Sequence, residues 1–220
     1  MGIVAMVHAT RGALNAVEEG LSVALPDAEV IHLMDEGLLR DLLQKGEMSS
    51  GLVSRFCRLV TAAAESSPEV ILTTCSSFAE FVDTAQAMVS MPVLTPDGAM
   101  IEKVVQNWTR VVMVATAPSA IPVAEQQLAM AAKNSGKNIK VETILVPEAL
   151  EALKSGDREC HDQLIVDALR GRKDADGIML CQFTMAHLEE RVSRETGVAT
   201  ISSLRSALQK VATFLEQPVE

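Results

Sequence analysis

The chain has 220 residues, 48% of them hydrophobic and 22% charged, a balance that fits one large or two small well-filled domains. A net charge of −10 with no Lys/Arg-rich stripe argues against nucleic acid as a partner, and 3% aromatic residues without Tyr leave little to stack bases or sugars. No apolar run reaches the roughly 20 residues that span a bilayer, and the amino terminus lacks the basic start and cleavage site of a secretory signal.

Four cysteines without a CxxC pair, and no His-rich metal spacing, point to a reduced cytoplasmic setting and to no metal. In chain order, Ile3–His8 reads as a buried strand that breaks at Thr10–Gly12, followed by a helix over about Ala13–Ala24. Glu29–Met34 is a second strand. Leu52, Val53, Phe56, Leu59, Val60 and Ala63 fall at the spacing of an amphipathic helix over Ser49–Ala64. A strand at Val70–Thr74, a helix at Phe78–Met88 and a short strand at Pro92–Leu94 complete the first half. Strands alternating with helices predict parallel sheets built from right-handed βαβ units.

The second half repeats this order. Val4–Val7 resembles Val111–Val114 at an offset of 107 positions, Pro68–Cys75 resembles Asp174–Cys181 at 106, and Met91–Thr95 resembles Gly197–Ile201 at 106. The fold class read from this is α/β, with two pseudo-symmetric lobes, each a short parallel sheet flanked by helices, and the active site between the lobes. The expected boundaries are 1–96 for the first lobe and 97–202 for the second. Ile101–Trp108 links the lobes, and a C-terminal helix over 203–220 packs back on the first.

In each lobe the third strand ends in a cysteine. Ligands of open parallel sheets bind at the carboxyl ends of the strands, where loops enter helices. Ser77-Phe78-Ala79-Glu80 matches a capping box with Ser77 as N-cap, which sets Cys75 beside backbone N–H groups able to lower a thiol pKa and hold a carboxylate. Ser76 and Ser77 add hydroxyls for the same anion. Cys181 is followed by Gln182-Phe183-Thr184, with Thr184 as N-cap of a helix over Met185–Arg191. Two thiols across a pseudo-twofold axis supply a base on one face of a carbon and an acid on the other. The bland alternative is a pair of buried core cysteines. Cys57 and Cys160 fall inside helical patterns and read as structural.

At Leu72-Thr73-Thr74-Cys75-Ser76-Ser77, at the strand ending in Cys181, and at Ala115-Thr116-Ala117-Pro118-Ser119, the sequence resembles the aspartate/glutamate/hydantoin racemase superfamily, as does Val30–Leu39. The resemblance implies a cofactor-independent isomerase, a racemase or epimerase of a small carboxylate such as an amino acid or hydantoin. Cys75 and Cys181 would be its base/acid pair, Ser76, Ser77 and Thr116 would hold the substrate carboxylate, and homo-oligomers are common in the group. The familiar Cys-Asn-Thr is here Cys75-Ser76-Ser77, and the usual Gly-Cys-Thr stretch is Leu180-Cys181-Gln182-Phe183-Thr184. These departures argue against a housekeeping glutamate racemase. They keep open a maleate-isomerase-like or arylmalonate-decarboxylase-like reaction, or a non-catalytic binding protein for small acids.

The remaining candidates are contextual. His8 ends the first strand and could reach the substrate or sit behind it. Thr10 could donate from the turn, as Gln182 and Thr184 could beyond Cys181. His187, six residues past Cys181, could tune that thiol or be a solvated helix position. His32 and His161 read as structural or exposed.

Overall fold

The computed structural model describes residues 2–216. The chain divides into two compact units, one running up to Pro96 and resuming at Ala207, the other Asp97–Ser206. Each is a four-stranded, all-parallel sheet with helices on its faces.

In the first unit β1 (Ile3–His8) leads through a turn to α1 (Arg11–Ala24), which Thr10 caps by accepting from the Ala13 N–H at 3.2 Å. β2 (Glu29–Met34) is followed by α2 (Gly37–Lys45) and α3 (Ser50–Ala64). Ser49 caps α3, and the stripe read from sequence turns inward: Leu52, Phe56, Val60 and Ala63 are buried. β3 (Val70–Thr73) and β4 (Val93–Leu94) complete the order β2-β1-β3-β4.

The helix expected over Phe78–Met88 takes another form. A 3-10 helix, Ser76–Phe81, comes first and only Val82–Gln86 is α-helical (α4). Cys75, not Ser77, is the N-cap, and the capping box does not form: the 3-10 helix has no side-chain cap and Glu80 is exposed. Tertiary packing accounts for this. Phe78 is fully buried, stacked on Phe56 of α3 with ring centroids 5.2 Å apart, and its N–H closes a tight turn on the Cys75 carbonyl at 3.2 Å.

The second unit starts with α5 (Gly98–Asn107), β5 (Arg110–Ala115), α6 (Ala120–Asn134), β6 (Lys140–Leu145), α7 (Pro147–Lys154) and α8 (Arg158–Leu169). β7 (Gly177–Leu180), a second 3-10 helix at Phe183–Leu188, α9 (Glu189–Thr196) and β8 (Thr200–Ser202) follow, in the order β6-β5-β7-β8. α10 (Ser203–Leu215) leaves this unit at Ser206 and continues in the other, where Leu208 and Val211 are buried. The part of the expected C-terminal helix beyond residue 216 lies outside the described residues. Thr184 stands inside the second 3-10 helix, so its expected N-cap role is corrected as well: the N-cap is Gln182.

Strand alternation sorts the second core. Val112, Val114, Ile178 and Leu180 face α7, α8 and α9, while Val111, Met113, Met179 and Cys181 pack with Met100, Ile101, Val104 and Leu128 of α5 and α6.

The two units repeat at one shift. Val4 pairs with Val70 as Val111 pairs with Gly177, and Ile71 pairs with Val93 as Ile178 pairs with Thr200, so the shift is 107 positions at every strand but β2 and β6. The loops keep it: the Thr74 N–H donates to the Val7 carbonyl at 3.0 Å, as the Cys181 N–H does to that of Val114 at 3.1 Å. The offset of 106 read for the third and fourth strands is therefore one residue short. Cys181 matches Thr74, and the residue that matches Cys75 is Gln182.

Candidate active site

In the first unit the carboxyl ends of β1 and β3 lie side by side. Cys75 follows Thr74 there, half-buried, with extended backbone (φ −123°, ψ 109°) that turns into the 3-10 helix. Ser76 and Ser77 are the first two residues of that helix and are also half-buried. The thiol and two hydroxyls thus share one loop at the carboxyl end of the sheet.

His8 lies behind this loop. It is fully buried, its Nδ1 is 3.0 Å from Thr74 Oγ1, and its Nε2 is 2.9 Å from His32 Nδ1. Thr74 has one hydroxyl proton, which it donates to the Val7 carbonyl at 3.2 Å. His8 Nδ1 is thus the donor toward Thr74, and His8 Nε2 accepts from His32 Nδ1–H. Burial, with His32 adding to it, pushes His8 down to about 4. Burial also lowers His32, against the opposing charge of Glu18. His8 is neutral at physiological pH and engaged on both sides. It therefore holds Thr74 in place, and the expectation of direct substrate contact gives way to a supporting role. Thr10 is half-buried and spends its oxygen on the α1 cap.

The second unit differs in kind. Cys181 is 4% exposed, belongs to the α5–α6 core, and its Sγ lies 3.6 Å from the Met179 carbonyl. Burial first, and the buried Asp97 carboxylate second, push its thiol well above the ordinary range, with only the backbone amide bond to Val114 opposing. The fully buried Thr116 gives both its N–H (2.5 Å) and its hydroxyl (3.0 Å) to Gln182 Oε1, and the Ala117 N–H joins them at 3.1 Å. The donors expected to hold a substrate carboxylate thus hold the Gln182 side chain. Thr184 is half-buried, and its Oγ1 is buried with no hydrogen-bond partner among the described residues.

His187 is held by a carboxylate: its Nε2 lies 2.8 Å from both oxygens of Asp162, which also bonds His161 Nδ1 at 2.7 Å. Among the described residues these three form the one group that could share a metal ion, with ligand atoms within 4.8 Å of one another. Cys57 is buried in α3, its thiol raised by that burial, and Cys160 is exposed on α8. Sequence reasoning missed His32, Asp97 and the Gln182–Thr116 clamp. The first two have no local signal. The third had one, the unbroken Val111–Thr116 and Gly177–Gln182 strand-and-loop register, whose count of residues sets which side chain reaches the loop.

A sequence profile of the Asp/Glu/hydantoin racemase family matches residues 3–211. No curated protein matches the chain in sequence. Among solved structures, an aspartate racemase homologue from Pyrococcus horikoshii OT3 superposes with a TM-score of 0.72 at 14% identity, covering 99% of this chain and 100% of that one. Glutamate racemase from Francisella tularensis subsp. tularensis SCHU S4, in complex with D-glutamate, gives 0.69 at 15% identity, covering 97% and 81%. Unliganded arylmalonate decarboxylase gives 0.66 at 15% identity, covering 100% and 95%. At these identities the superpositions speak for the fold, and the profile match for descent. The chain belongs to the Asp/Glu/hydantoin racemase family.

Proposed function

We propose that the protein is a cofactor-independent enzyme acting on a small carboxylate, with Cys75 as the thiol that transfers a proton at the carbon next to the carboxylate. The observation that carries this reading is the position of Cys75: a half-buried thiol at the carboxyl end of a central strand, capping the 3-10 helix that opens with Ser76 and Ser77. A thiol with an ordinary pKa of about 8.5 is close enough to neutrality to give and to take a proton. Ser76, Ser77 and the Thr10 hydroxyl are the donors assigned to the carboxylate. All four cysteines are thiols, in keeping with a reduced, cytoplasmic setting. No helix among the described residues is long and apolar enough to cross a membrane.

The chemistry supported best is one-sided. Racemisation needs an acid or base on each face of the carbon, and Cys181, one position out of register and buried, is a poor candidate for the second. One thiol suffices for either of two reactions: after loss of carbon dioxide, Cys75 S–H gives its proton to the enolate carbon and the thiolate regains one from water; in α-proton exchange, the Cys75 thiolate takes the proton from carbon, exchanges it with water and returns one to the same face. Two-thiol racemisation is the second reading, favoured by the family and requiring that Cys181 reach the substrate.

The test is α-proton exchange in D2O, followed by NMR, over amino acids, hydantoins and small dicarboxylates, with carbon dioxide release measured on the last. Cys75→Ser is expected to abolish turnover and Cys181→Ala to retain at least half of it. Loss of turnover in a folded Cys181→Ala protein establishes the two-thiol reading instead. Turnover that survives Cys75→Ser removes both.

A further inference from the structure

Away from the Cys75 loop, the second unit gathers two imidazoles on one carboxylate. His161 and Asp162 lie on α8, and His187 lies on the 3-10 helix that follows β7. Asp162 Oδ1 is 2.7 Å from His161 Nδ1, and both Asp162 oxygens are 2.8 Å from His187 Nε2. The two rings stack with centroids 6.3 Å apart, and one ligand atom from each residue lies within 4.8 Å of the others. An ionised carboxylate only accepts, so both rings hold their N–H toward Asp162. The His161 side chain is fully buried, and its Nε2 has no hydrogen-bond partner among the described residues. Nothing behind that ring fixes its tautomer, so moving the proton from Nδ1 to Nε2 gives up no bond at the far side. The Asp162 and His187 side chains keep 16% and 30% of their surface exposed, which opens the cluster to an ion from solvent. Two nitrogens and a carboxylate suit zinc and its neighbours, whereas magnesium and calcium take oxygen. Bonds of about 2.0–2.1 Å to a tetrahedral ion set ligand atoms about 3.3 Å apart. Each contact of Asp162 with an imidazole then opens by about half an ångström, within reach of side-chain rotation at the partly exposed Asp162 and His187.

We propose that His161 Nδ1, an Asp162 oxygen and His187 Nε2 bind one divalent transition-metal ion of the zinc class, with water in the fourth position. Each imidazole turns a lone pair to the ion by moving its proton to its other ring nitrogen, so no proton leaves the site. The ion ties α8 to the 3-10 helix after β7, two elements of one unit. The assignment does not rest on the reaction proposed for Cys75.

The test is calorimetric titration of Zn2+ into the full-length protein after dialysis against a chelator, with the melting temperature recorded with and without the ion. Wild type is expected to take one ion per chain with micromolar affinity. An excess of about a hundredfold over the dissociation constant is expected to raise the melting temperature by about 5 °C. Mg2+ at millimolar concentration is expected to change neither reading, because a hard cation gains little from imidazole. His187→Gln and Asp162→Asn each remove one ligand and are expected to bind Zn2+ at least about tenfold more weakly, since even groups behind a ligand are worth that much. Co2+ separates this cluster from the thiols: nitrogen and oxygen ligands give visible absorption without the thiolate-to-cobalt charge-transfer band that Cys75 or Cys160 would add. Wild-type affinity in whichever variant is folded overturns the assignment. So does a charge-transfer band at one equivalent of Co2+, Mg2+ binding as tight as that of Zn2+, or absence of Zn2+ binding by the wild type at submillimolar concentration.

Discussion

His8 is a base placed where a second proton has no acceptor: its Nδ1–H is given to Thr74, its Nε2 receives the His32 N–H, and the residue is fully buried. Protonation would set a donor against a donor and charge a buried ring. The folded protein holds His8 neutral down to about pH 4, whereas the unfolded chain takes up the proton near 6.5. Below 6.5 the unfolded state binds more protons, so stability from this site is fully present above pH 6.5 and is lost as pH falls toward 4. The expected loss is about 3 kcal/mol at most across that window. Denaturant titrations between pH 7 and 4 check it, with His8→Asn, which keeps a donor for Thr74 and does not titrate, expected to flatten the slope. Thr74 precedes Cys75, so the same window should blunt activity through the loop. Residue identity alone told that His8 ends a strand. It could not tell that both nitrogens are used, because His32 comes from the neighbouring strand.

At the scale of elements, β7 shows how a single side chain sets a packing distance. Gly177 opens the strand against the ring of Trp108, the residue that ends α5, and a Cβ added there would run into that ring. Gly177→Ala is expected to destabilise the protein by about 1–3 kcal/mol, because an indole cannot withdraw from a close-packed face without opening a gap elsewhere. In contrast, a Cβ at Gly12 in α1 meets nothing within 4 Å, and Gly12→Ala is expected to stabilise by about 0.5 kcal/mol. Urea unfolding of the two variants gives opposite signs if the space around these glycines decides. Local pattern placed β1, β2, α3 and α10 well, since each has either a β-branched run or a 3.6-residue apolar stripe. It misjudged the segments after β3 and β7, where six residues wind as a 3-10 helix because Phe78 is held against Phe56 in one unit and Met185 is buried in the other.

For the molecule as a whole, strand order ranks the stability of its parts. β1 and β3 are the inner strands of one sheet and β5 and β7 of the other, with Met6, Leu72, Met113 and Met179 fully buried on them. Amides of these inner strands are expected to exchange slowest in native-state hydrogen exchange, and those of β2 and β6, at the sheet edges, orders of magnitude faster. Equal protection across inner and edge strands would contradict that ranking. The sequence by itself determined the α/β class, the twofold repeat and the arrival of a thiol at the end of β3, because hydrophobic periodicity and apolar strand runs are local properties of the chain. It also carried the family resemblance. Only the tertiary structure decided which residue of the second repeat corresponds to Cys75, because a strand turns alternate side chains to opposite faces and a shift of one position exchanges core for loop. By that shift Cys181 joins Met179 in the α5–α6 core and Gln182 reaches the loop, where Thr116 and Ala117 hold it.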